Sequence, residues 1–254
     1  EKDLQILIEF ATSNHLTLIP RTAGTSLAGQ CVGDGIIVDV SKYFTRILDI
    51  NEKEQTVTVQ PGVVRDVLNN YLKPFGLFFG PNTSTSNRCM IGGMVGNNSS
   101  GTTSIKYGVT RDKVIELHTI LSDGSEAVFH DLSKDEFHEK LKKDSLEGQI
   151  YKRIYSELSS EPVQKNIIEN FPKPEIHRRN TGYALDELLN TSVFSNSEEK
   201  INNSNQEILK YRQGKRRCFA HQNLHFRPIA FVKLLYILYP IFLHSCVQFL
   251  TILV

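Results

Sequence analysis

Two hundred and fifty-four residues at 28.8 kDa, 40% hydrophobic and 22% charged, suffice for one large domain or two small ones and exclude a disordered chain. With 29 basic against 28 acidic residues the balance is +1, and nothing in it marks a nucleic-acid binder. Four scattered cysteines (Cys31, Cys89, Cys218, Cys246) are too few for a disulfide framework, so a reducing compartment is expected; no charged-then-apolar leader opens the chain, which starts inside a helical pattern at Glu1 as a fragment would. Leu4, Leu7, Ile8 and Ala11 follow helical spacing, and Asn14 suits the stop. Leu16 to Pro20 reads as a short strand, then a loop of small residues runs from Arg21 to Gln30, then Gly35 to Val40 reads as a second strand. Thr45 to Ile50 and Thr56 to Gln60 form an expected hairpin around Asn51 to Glu54, and Pro61-Gly62 turns the chain. Val64, Val67, Leu68 and Tyr71 mark a helix that Pro74 and Gly76 end. Residues 80 to 108 show no clean period and read as one long loop. Val114 to Leu121 and Ser125 to Phe129 are strands about the turn Ser122-Asp-Gly124, and Ser133 to Asn170 reads as a charged, solvated pair of helices. The body is α+β, with two groups of strands separated by the long loop.

The average composition hides a break. The last acidic residue is Glu207; the 47 residues after it hold seven Lys or Arg and no Asp or Glu, while the 207 before them carry 22 basic and 28 acidic groups. Residues 229 to 254 are mostly apolar. A membrane anchor fits this segment, with Lys210 to Arg217 as its positive flank, although Pro240 and the polar interruptions weaken it.

Two loops carry the chemistry. Ala23-Gly24-Thr25-Ser26 lets successive backbone N–H groups approach an anion, with the hydroxyls of Thr22, Thr25 and Ser26 as further donors, which suits a pyrophosphate. It is neither a Walker loop nor the G-x-G-x-x-G fingerprint, since no Gly-Lys-Ser/Thr follows and a strand comes next; taken alone, a plain connecting loop reads equally well. The second loop, Gly80 to Gly108, is long for a compact domain unless it binds something. Gly92-Gly93 permits close backbone approach, and Asn97, Ser99 and Ser100 supply polar groups. Together the loops describe a dinucleotide site without a Rossmann helix. Cys218, His221 and His225 have metal-like spacing but lack a partner pair, and His118 and His130 read as packing or surface groups, so no metal is expected.

The blocks Pro20 to Gln30, Val59-Gln-Pro-Gly62, Met90-Ile-Gly-Gly93, Asn97-Asn-Ser-Ser-Gly101, Lys106-Tyr-Gly108, Leu121-Ser-Asp-Gly124 and Arg178 to Asp186 occur in an order that resembles the FAD-binding domain of the vanillyl-alcohol oxidase and p-cresol methylhydroxylase superfamily. The similarity is greatest to its D-lactate, glycolate and D-2-hydroxyglutarate dehydrogenase branch and runs from Glu1 to about Leu189. The resemblance implies a two-subdomain fold of the p-cresol methylhydroxylase type, cut before the substrate cap: residues 1–75 with the pyrophosphate loop, 76–190 with the flavin loop and the charged helices, and 191–207 as linker. It implies cofactor contacts from Arg21, Thr22, Ala23, Gly24, Thr25 and Ser26 in the first loop, and from Pro81, Ile91, Gly92, Gly93, Asn97, Ser100, Gly101, Tyr107 and Gly108 in the second. Thr83 to Arg88 departs from the family wording. No His lies between Arg21 and Gln30, so non-covalent FAD is expected; Cys89 reads better as a small residue packed beside the flavin loop than as an attachment point.

The implied activity is oxidation of a small D-2-hydroxy acid by hydride transfer to FAD, with electrons leaving to a quinone, cytochrome or iron–sulfur segment. The expected location is the cytoplasm or the periphery of the inner membrane, with a membrane partner only if the apolar tail is a genuine anchor. Two other readings are a membrane-anchored FAD module without catalysis of its own and an enolpyruvyl-sugar reductase using NADPH. The family's Gly-Ser-Glu-Gly strand and its cap are not readable. Codons exist for Gly214-Lys-Arg-Arg217 that, shifted by one base, read Ser-Glu-Gly. Residues 208–254 are therefore expected to be an out-of-frame or disordered tail, and the chain is expected to expose a sheet edge and to be catalytically inactive, with its catalytic residues unassigned.

Overall fold

The computed structural model describes residues 2–173, 176, 184–194 and 246–254, with backbone alone for 246–250. Helix α1 (Lys2–Ser13) buries Leu4, Ile8 and Ala11, the apolar stripe that its spacing foretells. It ends where Asn14 Nδ2 donates to the Phe10 carbonyl at 2.8 Å and His15 takes a left-handed φ of 55°. Strands β1 (Leu18–Arg21) and β2 (Ile36–Asp39) pair in parallel, Arg21 opposite Asp39. A parallel pair needs a crossover, and residues 22–35 supply it, so the first loop is held at both ends by one small sheet. Leu4, Ile8, Ala11, Leu18, Val38, Val40 and Ile120 form a core of their own beneath this unit.

Strands β3 (Ile47–Asn51) and β4 (Thr56–Val59) form the expected antiparallel hairpin, and β5 (Val114–Ile120) and β6 (Glu126–His130) another, turned at Gly124 with φ 81°. They do not stay apart. Strand β7 (Cys246–Leu253) lies antiparallel between β4 and β5, giving one five-stranded sheet in the order β3-β4-β7-β5-β6. The two strand groups, expected to be separated by the long loop, share this sheet, and the smaller core around α1, β1 and β2 takes in Ile120 of β5 as well. Residues 246–253 are an ordered strand, not a disordered tail, because alternating pairs such as Val57–Ile252 and Leu117–Leu250 complete both neighbours' ladders. No open edge remains between β4 and β5, so the expected sheet edge is filled there. Residues 208–245 and the metal-like Cys218, His221 and His225 lie outside the described residues.

Helix α2 (Arg65–Leu72) buries Leu68 and Leu72, while Val67 and Tyr71, read as part of its core pattern, face outward. A short 3-10 turn follows and stops at Gly76 with φ 69°. The long loop is not structureless: it folds into α3 (Ile91–Gly96) and α4 (Ser104–Tyr107). The charged stretch makes three helices rather than a solvated pair, α5 (Lys134–Lys142), α6 (Leu146–Leu158) and α7 (Glu161–Asn170). Each is amphipathic, and Phe137, Ile150, Tyr151, Ile154, Leu158 and Ile167 pack with Phe129 and Leu117 of the sheet in the main core. Helix α5 begins at a capping box in which Ser133 Oγ accepts from the Glu136 amide and the Glu136 carboxylate accepts from the Ser133 amide. The hydrogen bond from the Ser133 hydroxyl, and then that from its amide, hold the Glu136 carboxyl below its ordinary pKa. Helix α8 (Leu185–Leu189) closes the described body. Among the described residues no helix is long and apolar enough to cross a membrane.

Candidate functional site

The first loop leaves β1 at Arg21. No hydrogen bond from the amides of Thr22 to Ser26, nor to their hydroxyls, exists among the described residues, and all five are half-exposed. Gly24 sits at φ 66°, a left-handed turn that bends the loop back toward β1. Arg21 does not reach outward: its guanidinium folds behind the loop, Nε donating to the Thr22 carbonyl at 3.3 Å and Nη2 to the Ala23 carbonyl at 3.5 Å. Asp39, 3.9 Å from Arg21 Nε, flanks it on β2.

The second loop is built on α2. Arg65 donates to the carbonyls of Pro81 at 3.1 Å and Phe79 at 3.3 Å, and Asn69 Oδ1 accepts from the Phe79 amide at 2.7 Å. These bonds fix Gly80-Pro-Asn82 as a wall. Across it, Thr103 Oγ1 donates to the Gly80 carbonyl at 2.8 Å, and a Cβ on Gly80 would lie 2.6 Å from Tyr107 Cβ. Gly101 packs directly on the Asn82 carbonyl, where any side chain would overlap backbone. Tyr107 stands edge-on to Phe78, ring centroids 5.0 Å apart. At Gly80 and Gly101 glycine thus permits close packing, on the Tyr107 side chain and on the Asn82 backbone respectively.

Helix α3 carries Ile91, Gly92 and Gly93. Ile91 is wholly buried, its amide donating to the Val63 carbonyl at 2.9 Å, and the Gly92 amide donates to the Pro61 carbonyl at 2.8 Å. Those two residues therefore anchor the helix, and of the exposed positions Gly93, Gly96 and Asn97, the first and last lie one turn apart on the same face. The loops meet here: a Cβ on Gly93 would lie 2.6 Å from Thr22 Oγ1. Asn97 Nδ2 donates to Ser99 Oγ at 3.2 Å, and the partly buried Ser100 lies between Ser99 and Gly101. Asn98 has φ 46°, held by the Arg111 amide donating to its Oδ1 at 3.0 Å, and Thr110 Oγ1 donates to the Ser99 carbonyl at 2.6 Å. Pro81 is buried as part of the wall, and Gly108, at φ 80°, packs on the Asp112 carboxylate.

The residues suit a dinucleotide on two observations. The first loop, whose amides have no partner among the described residues, meets α3 where the Thr22 hydroxyl faces Gly93, and Asn82 Oδ1 is buried next to the Gly101 packing point with no hydrogen-bond partner. Sequence reasoning passed over Asn82, Arg65, Asn69 and Thr103; the spacing of Arg65 and Asn69, four apart on α2, was the available signal. Cys89 is buried, its Sγ 3.2 Å from Thr83 Oγ1 and 3.6 Å from Met94 Sδ. His118 Nε2 is 2.6 Å from Glu116 Oε1, and His130 Nδ1 donates to the Asp131 carbonyl at 2.7 Å. Among the described residues no cluster of His, Cys, Asp and Glu could hold a metal. Residues 178–183 of the last family block lie outside the described residues.

Comparison with known proteins matches residues 1–129 to the FAD binding domain family. The chain is 40% identical over 178 residues to a D-2-hydroxyglutarate dehydrogenase of Escherichia coli and 43% identical over 174 residues to one of Pseudomonas putida, covering 70% and 67% of this chain. It spans 17% of the length of each of these two relatives. Among solved structures, 6-hydroxy-D-nicotine oxidase from Arthrobacter nicotinovorans aligns at a TM-score of 0.45 and 23% identity, over 53% of this chain and 28% of that one.

Proposed function

The chain belongs to the FAD-binding domain family, of the vanillyl-alcohol oxidase and p-cresol methylhydroxylase type, and we propose that it is the cofactor-holding part of a D-2-hydroxy-acid dehydrogenase. The observation that carries this reading is a first loop with unpaired amides at residues 22–26 that meets α3 where the Thr22 hydroxyl faces Gly93. Thr22 to Ser26 would hold the diphosphate, and Gly93, Asn97 and Ser100 would lie along the ribityl chain and ring, with Tyr107 closing the rim. Arg21, Pro81, Ile91, Gly92, Gly101 and Gly108 would serve from behind, fixing the backbone that makes those contacts. The FAD is non-covalent in this reading.

The chemistry that bound FAD supplies is acceptance of a hydride from the α-carbon of the hydroxy acid. The chain's own part is to orient the cofactor and shield one side of it from water. The substrate would be a small D-2-hydroxy acid of the D-lactate or D-2-hydroxyglutarate kind, leaving as the 2-oxo acid, and a quinone, cytochrome or iron–sulfur group would take the electrons. The cytoplasm, or the inner face of its membrane, is the location this reading favours. Fusing residues 1–190 to the remaining portion of a D-2-hydroxyglutarate dehydrogenase and screening D- against L-2-hydroxy acids tests it. Oxidation of D-acids supports the reading; turnover of L-acids alone, or a requirement for NADPH, contradicts it.

A further inference from the structure

We propose that Arg21 and Cys31 are positioning residues that turn three consecutive peptide units of the first loop, so that the amides of Ala23, Gly24 and Thr25 present together to a diphosphate. The inference rests on the FAD reading above and adds to it a reason why this loop is preformed. The carbonyl of Thr22 accepts from Arg21 Nε at 3.3 Å, that of Ala23 from Arg21 Nη2 at 3.5 Å, and that of Gly24 from Cys31 Sγ at 3.8 Å. All three acceptors thus face donors on the inner side of the loop. The described residues contain no cis peptide bond, and in a trans peptide the N–H points opposite to the C=O of the same unit. Fixing the carbonyls of residues 22, 23 and 24 inward therefore turns the amides of residues 23, 24 and 25 outward, and among the described residues none of these amides has a partner.

Gly24 completes the arrangement. Its left-handed φ of 66° reverses the chain, and the guanidinium lies so close beneath it that a Cβ there would be 2.6 Å from Arg21 Nη2. The guanidinium is itself braced from β2: Arg21 and Asp39 are register partners, and the Asp39 carboxylate lies 3.9 Å from Nε. Ser41 donates to Asp39 Oδ1 at 2.8 Å, and these Ser41 hydrogen bonds, with Arg21 as a smaller contribution, hold the carboxyl below its ordinary pKa and keep it ionised. A row of outward amides with a cation behind it is a concave anion receptor. Arg21 acts in it through the backbone, with its planar fork spanning two adjacent carbonyls, a geometry that the single ammonium of lysine does not reproduce.

The test compares the full chain with Arg21→Met, Arg21→Lys, Cys31→Ala and Cys31→Ser. Each is titrated with FAD and, separately, with riboflavin, which has the ring and lacks both phosphates. Arg21→Met should weaken FAD at least about tenfold, with riboflavin affinity unchanged. Arg21→Lys should fall between Met and the parent, Cys31→Ala should cost a few-fold, and Cys31→Ser, which keeps a donor, should recover most of it. On the 15N-labelled chain, inorganic pyrophosphate should shift the amide signals of Ala23, Gly24 and Thr25 in the parent and leave them in place in Arg21→Met. Equal FAD affinity in parent and Arg21→Met, or parallel loss of FAD and riboflavin, overturns the inference while leaving the FAD reading intact. A parent chain that binds no FAD overturns the reading beneath it and this inference with it.

Discussion

Replacing Gly93 by alanine separates the binding role of the loop contact from its structural role. The added Cβ would lie 2.6 Å from Thr22 Oγ1, whereas ordinary contact begins at 3.4 Å, so the first loop or the hydroxyl must retreat by about 0.8 Å. Overpacking of this kind costs about 1–3 kcal/mol, and if that cost falls on the cofactor-competent arrangement, FAD affinity drops by roughly 5- to 150-fold. Stability should move the other way: Gly93 is exposed within α3, and alanine in a helix is favoured over glycine by up to about 1 kcal/mol. The assay is FAD titration by flavin fluorescence quenching beside urea unfolding of the apo chain. Adding Thr22→Ala removes the atom that is struck, so in the double variant alanine at 93 should cost FAD affinity much less than it does in the parent. Unchanged FAD affinity in Gly93→Ala, or an equal penalty with and without the Thr22 hydroxyl, would falsify the claim that the loops meet at this point.

Three further outcomes follow from the packing. Phe137 is fully buried, with its ring centroid 5.6 Å from that of Tyr151, so Phe137→Ala should lower unfolding stability by about 3–5 kcal/mol, read as a lower urea midpoint at constant slope. Ile252 is fully buried in the strand through which β4 and β5 are joined; Ile252→Asp should cost about 3–5 kcal/mol or abolish cooperative unfolding, and a near-parental midpoint would show that β7 does not hold the sheet. Burial lowers the Lys113 ammonium pKa below its ordinary 10.5, with Asp112 opposing the shift. Between the lowered and ordinary values the unfolded chain binds more protons than the folded one, so this group's contribution to stability rises with pH across that window. Lys113→Met should therefore be the more stable chain near neutral pH, with its advantage shrinking as pH rises toward 10.5; an advantage that grows instead reverses the sign.

Local patterns were legible and long-range ones were not. Leu4, Ile8 and Ala11 face one core because helical periodicity alone puts them there, and the Thr56–Val59 alternation faces the sheet for the same kind of reason. The strand between β4 and β5 could not be read, since its partners Val57 and Leu117 lie far from residues 250–252 in sequence and apolar runs do not state their neighbours. Helix α3 escaped because Gly92, Gly93 and Gly96 give it poor intrinsic propensity; the Val63 and Pro61 carbonyls that accept from its first amides hold it in place. The three-helix layer had readable breaks at Ser145, an N-cap whose hydroxyl accepts from the Gly148 amide, and at Ser160-Glu161-Pro162, where proline opens a helix. In the site, the glycines and hydroxyls were visible as residues, but their division of labour was not. Whether a glycine meets cofactor, as Gly93 would, or backbone, as Gly101 does, depends on which segment folds over it.

The most direct measurement is stoichiometric titration of the purified 254-residue chain with FAD, followed by its absorbance and by quenching of flavin fluorescence. Non-covalent binding by the two loops predicts saturation at one FAD per chain, release of the intact dinucleotide on denaturation, and weaker binding of FMN and riboflavin, which lack the full diphosphate. A folded chain, cooperative in urea, that stays colourless and quenches no flavin would contradict it.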